Sequence, residues 1–194
     1  MKIFFIISFI FLIGCTNPFG TREPDKPRSN NPTQPINSLQ NYPDSLLAKF
    51  KYAFGQKDIN YYMQCLADST LINARFVFIP QQNESYRLPF WTREDEFNYF
   101  NRLINNKDIN NLLLQIYNVQ DWTILGASQD TMQTRFSYEI EIDYKLKKEF
   151  YRGQSIFKIV RSPQTLWYVY FWEDLQANSN DADSTWSTLK ANYR

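Results

Sequence analysis

The run Gln133–Leu146 alternates without a break. Phe136, Tyr138, Ile140, Ile142, Tyr144 and Leu146 fall on one side, and Arg135, Ser137, Glu139, Glu141, Asp143 and Lys145 on the other. Successive side chains of an extended chain point to opposite faces. Such a run therefore buries one face only as a strand of an antiparallel sheet with water behind it. Glu139, Glu141 and Asp143 are expected on the wet side.

The neighbouring segments extend that sheet. Leu112–Leu125 reads as a long strand with a bulge near Gln120, and Gly126–Asp130 as a turn. After a turn at Lys147-Lys148, Glu149–Val160 returns. Ser162-Pro163-Gln164 turns again, and Leu166–Leu175 is the last strand. Ahead of this meander the period changes. Leu46, Leu47, Phe50, Ala53 and Phe54 share a helical face, with Pro43 at its start and Gly55 past its end. Asp58 caps a second helix carrying Ile59, Tyr62, Met63 and Leu66. Arg75–Ile79 is a short strand closed by Pro80. Thr92–Asp95 resembles a capping box that opens a third helix, with Phe97, Phe100, Leu103 and Ile104 as its buried stripe. The acids Glu94, Asp95 and Glu96 are accounted for by the helix dipole. Helices followed by a long meander predict an α+β domain, with N-terminal helices packed on a curved antiparallel sheet.

The start of the chain reads differently. Met1-Lys2 precedes Ile3–Ile13, which is apolar but for Ser8. This is the pattern of a secretory leader, short of the about 20 apolar residues a spanning helix needs. Leu12-Ile13-Gly14-Cys15 resembles a lipobox of bacterial lipoproteins. That resemblance implies cleavage before Cys15 and diacylglycerol on its thiol; the alternative is an ordinary cleaved leader with an incidental cysteine. Two acyl chains, at about 0.8 kcal/mol per buried methylene, hold a protein where one is marginal. Thr16, in place of an aspartate, favours the outer membrane in a diderm cell.

The expected organisation is a leader at 1–14, a lipidated cysteine and proline-rich tether at 15–42, the α+β domain at 43–175, and a C-terminal tail at 176–194. Pro18, Pro24, Pro27, Pro32 and Pro35 punctuate the tether, and its apolar residues have no period. Its reach is about 30 Å as a coil and about 80 Å extended. In the tail Trp186, Leu189 and Tyr193 recur at helical spacing. They are expected to cover the outward aromatics of the last strand, or to form a docking face for a partner.

The order of elements resembles the NTF2-like (SnoaL-like, cystatin-like) fold. The resemblance is carried by Leu46-Leu47-Ala48-Lys49-Phe50, Lys57–Tyr62, Trp91-Thr92-Arg93-Glu94 and Trp167-Tyr168-Val169. It implies a cone enclosed by helices and sheet, used by some members for isomerase, dehydratase or hydrolase chemistry and by others for binding alone.

The chain has no histidine, which excludes His–Asp catalysis, histidine zinc sites and serine–histidine nucleophiles. An enzyme would need a buried carboxylate with a tyrosine or second acid; no catalytic residue is identifiable, and no metal or cofactor is implied. Candidate pocket residues are Glu173 and Asp174 at the end of the aromatic last strand, with Tyr170, Trp172 and Arg152. Gly153 and Ser155 leave space for helix packing, sheet curvature or a cavity floor. The many aromatics serve either core filling or stacking on sugars, lipids or bases. Cys65 is either a small core residue or a reactive thiol. A net charge of +1 without a basic stripe argues against nucleic acid. The expected partners are a membrane, through the lipid, and a small apolar ligand or an envelope protein.

Overall fold

The computed structural model describes residues 40–177 and 184–194. The leader, Cys15 and the tether as far as residue 39 lie outside the described residues. The elements are α1 (Pro43–Gly55), α2 (Ile59–Gln64), β1 (Val77–Ile79), α3 (Arg93–Ile104), β2 (Ile109–Tyr117), β3 (Thr123–Ile124), β4 (Thr131–Tyr144), β5 (Lys148–Arg161), β6 (Trp167–Leu175) and α4 (Trp186–Asn192). The sheet runs β1-β6-β5-β4-β2, with β3 also on β4. From β2 to β6 all pairings are antiparallel; β1 adds a parallel edge on β6. The architecture is the expected α+β arrangement, with helices on the concave side of a mixed sheet.

Local chemistry explains most boundaries. Pro43 opens α1. The Asp58 side chain accepts from Tyr61 N at the head of α2, and Thr92 and Asp95 form a reciprocal capping box on α3. Each satisfies a backbone N–H that has no partner within the helix.

Four expectations shift. The first long strand is broken after Tyr117, where Asn118 takes a left-handed φ of 51°. Gln120 then ties back to Arg135 and Thr134 of β4. The β4–β5 turn falls at Lys145–Lys147, so Leu146 stands 98% exposed at its tip. Helix α2 stops at Gln64, and Leu66 lies alongside Val169 of β6 instead. On α3 the buried stripe is Glu96, Tyr99, Phe100 and Leu103, leaving Phe97 42% exposed.

The core sits between helices and sheet. Phe50 and Phe54 of α1, Tyr62 of α2 and Phe100 of α3 meet Phe136, Phe157 and Trp172 of the sheet. Tyr62 stacks on Phe100 with centroids 4.0 Å apart, and most other pairs meet tilted or edge-on, the arrangements ring quadrupoles favour. Cys65 is buried in this core, which pushes its thiol up to about 12.

Candidate functional site

Behind the sheet the helices enclose the core. The chain's own C-terminal helix is part of it. Trp186 and Leu189 of α4 are without solvent exposure. The Trp186 indole stands 4.6 Å from Trp172, 5.1 Å from Tyr138 and 5.6 Å from Phe54. The amphipathic spacing of the tail was legible; its destination was not. Rather than covering the outward aromatics of β6, the helix enters the cone and packs on inward ones.

Two buried acids organise the polar part of this interior. Glu96, 0% exposed, receives Tyr62 Oη at 2.6 Å, Trp91 Nε1 at 2.5 Å and Lys190 Nζ at 2.6 Å. The Lys190 ammonium also lies 3.6 Å from the ring centroids of Phe78 and Trp172, within a cage completed by Trp91 and Tyr99. Burial lowers its pKa to about 8, opposed by the Glu96 charge. Asp174 receives Tyr138 Oη at 2.6 Å, Ser187 N at 2.7 Å and Ser187 Oγ at 2.5 Å. Burial raises the Asp174 pKa, and these donors work against the rise. Tyr138 Oη in turn accepts from Trp186 N at 2.7 Å, and Trp186 Nε1 donates to Tyr99 Oη at 3.0 Å. The tyrosines Tyr62, Tyr99 and Tyr138 all have raised pKa values, chiefly from burial.

Gly153 makes the second cluster possible. A Cβ there would meet Tyr138 Oη and the Leu175 carbonyl at 2.5 Å each. Next to it, Ser155 Oγ accepts from Trp172 Nε1 at 3.1 Å. The two small residues thus give room to a tyrosine and a tryptophan that hold α4.

The five candidate pocket residues divide between the faces. Trp172 and Asp174 point inward and are buried. Glu173, Tyr170 and Arg152 are on the outer side, where Arg152 Nε donates to Glu139 Oε2 at 2.6 Å. A bulge decides this: Lys158 pairs with Phe171 but Ile159 with Val169, leaving Tyr170 as an extra residue. The parity of β6 changes there, so Val169, Trp172 and Asp174 share the inner face. Glu96 and Lys190 were not singled out from sequence. The signal for Glu96 was its position one turn ahead of Tyr99 and Phe100 on the same stripe. Lys190, next to Leu189, sat on the tail's apolar face.

Each acid thus accepts three donors from its own chain, and α4 supplies donors to both, through Lys190 and Ser187. Among the described residues no group of acids or cysteines is arranged to hold a metal ion, and no helix is long and apolar enough to cross a membrane.

No known protein-family model matches the sequence, and no curated protein does. Solved structures do resemble it. A candidate dehydratase from the NTF2-like family of Streptomyces avermitilis superposes with a TM-score of 0.55 at 9% identity, covering 75% of this chain and 100% of that one. An NTF2-like superfamily protein from Salmonella enterica gives 0.53 at 10% identity, covering 76% and 97%. The beta subunit of benzoate 1,2-dioxygenase from Burkholderia mallei gives 0.50 at 16% identity, covering 68% and 86%. At these identities the likeness concerns the backbone alone, and what it establishes is that the described part of this chain has the NTF2-like fold.

Proposed function

We propose that this chain is a lipid-anchored protein of the cell envelope whose folded part is a non-catalytic binding module. Cys15 carries the lipid, in the outer membrane where the cell has one, and the proline-rich segment after it spaces the domain from the bilayer. The sequence around Leu12–Cys15 supports the anchor. One observation carries the binding-module reading: Glu96 and Asp174, the acids inside the cone, each receive three donors from their own chain. A carboxylate that acts as a base has to face a substrate proton at hydrogen-bond distance. These two face Lys190, Ser187, Trp91 and tyrosines instead. A partner or ligand therefore engages the outside of the domain.

The test has two arms. In a diderm host the intact mass of membrane-extracted protein is expected to equal residues 15–194 plus acyl groups, and Cys15→Ala is expected to release the chain from membranes. An unmodified thiol or a retained leader overturns the anchor. Turnover of any substrate that is lost in Asp174→Asn or Glu96→Gln, in a variant that still folds, overturns the non-catalytic reading.

A further inference from the structure

A groove of about 390 Å³ opens beside Gln40, between the end of α2, the head of α3 and the start of β6. Gln40 closes one end of it. Its Nε2 donates to the carbonyls of Gln64 at 2.8 Å and Trp167 at 3.1 Å, and its Oε1 accepts from Lys49 Nζ at 2.6 Å. Lys49 is only 1% exposed. Its other acceptor is Gln64 Oε1 at 2.9 Å, so both acceptors are neutral amides, and the Tyr61 ring lies 5.4 Å from the ammonium. No carboxylate among the described residues is within ion-pair range of it. An ammonium has three protons to donate, and a buried charge is costly unless it is paired. Burial accordingly lowers the Lys49 pKa.

The groove lining includes a second cation with spare capacity, Arg93. Arg93 reaches Asp68 at 3.3 Å and the Met63 carbonyl at 3.2 Å, while its Nε is buried without an acceptor. Asp68 offsets the Arg93 charge in an ion pair, whereas Lys49 feels Asp58 only through space and has no carboxylate in contact. The buried apolar part of the lining is made by Met63, Leu66 and Ile72.

We infer that this groove takes a small amphiphile, an oxyanion (carboxylate or phosphate) on a short apolar body, with Lys49 and Arg93 as its donors. The oxyanion supplies the missing counter-charge, and the apolar body covers the apolar lining. Such a group is found both on free metabolite-sized anions and on anionic lipids. The inference deepens the binding-module reading and does not depend on the lipid at Cys15.

The test uses the mature full chain in neutral detergent. Thermal unfolding is followed with hexanoate, with hexanol as the uncharged control, and with inorganic phosphate, all at constant ionic strength. A parallel arm places the chain in nanodiscs of phosphatidylcholine with or without phosphatidic acid. At ten times the dissociation constant the oxyanion is expected to raise the melting temperature by about 3–5 °C. Hexanol is expected to do nothing. Lys49→Met and Arg93→Gln should each abolish the rise; Arg93→Gln leaves the Gln40 clamp untouched, so it remains readable if Lys49→Met fails to fold. A rise with hexanoate or phosphate identifies a soluble ligand, and one confined to phosphatidic acid discs identifies a lipid headgroup. The inference is overturned if no oxyanion raises the melting temperature, if hexanol matches hexanoate, or if the rise survives both substitutions. A silent groove on a chain that still fractionates with membranes and turns over no substrate would leave the broader reading standing.

Discussion

Lys190, inside the cone, and Lys49, beneath the groove beside Gln40, are both out of solvent, yet only Lys190 has a carboxylate. Lys190 meets Glu96 at 2.6 Å and is surrounded by rings. Lys49 meets two amide oxygens and one ring, Tyr61, at 5.4 Å. The difference separates a finished interior from an unfinished one. Where both charges are supplied by the chain and further donors complete the acid, nothing is left for a ligand to add. Where one charge stands against neutral acceptors at the wall of an open groove, a ligand can lower the cost of burying it.

The largest expected effect breaks the finished side. Lys190→Met removes one member of a fully buried pair and should cost about 3–5 kcal/mol in urea unfolding, because Glu96 is left charged and dry. Adding Glu96→Gln should recover much of that loss. A single variant no less stable than the wild type would show the pair to be dispensable.

Next in size is a pH effect. The folded-state pKa of Lys190 lies near 8, below its ordinary 10.5, so between those values the unfolded chain binds more protons than the folded one. Stability contributed by this group therefore rises with pH across that window. Measured against the Lys190→Met/Glu96→Gln double variant, the wild type should gain about 1–3 kcal/mol from pH 8 to 10.5. Cys65 and the buried tyrosines pull the other way at alkaline pH; of these Tyr62 and Tyr99 neighbour the pair, and Cys65 and Tyr138 keep the same surroundings in both proteins. A flat difference curve would show that Lys190 keeps its ordinary proton affinity.

The smallest effect sharpens the contrast. Lys49→Met exchanges two hydrogen bonds to amides for relief of an unpaired buried charge, and these terms are of similar size. The change in stability without ligand should stay within about 1 kcal/mol. A loss as large as that of Lys190→Met would make Lys49 part of the finished interior too.

Much of the scaffold was readable from the residues. The alternation through β4, Pro43 at the head of α1, the Asp58 cap and the Thr92–Asp95 box are local signals, and each marks an element that forms, although α2 and β4 end earlier than expected. The interior chemistry was harder to read because its partners are distant in sequence. Glu96 and Lys190 are 94 residues apart, and an acid in the first turn of a helix is fully explained by the dipole until its partner is known. Asp174 and Glu173 could not be told apart for a different reason. Trp167–Trp172 is aromatic on both faces, so nothing in its composition marks the extra residue at Tyr170 that fixes which acid turns inward.

The clamp at Gln40 has a mechanical consequence. Its three hydrogen bonds go to α1, to the end of α2 and to the first residue of β6. A pull applied at Gln40 would be shared by α1, α2 and β6 rather than carried by α1 alone.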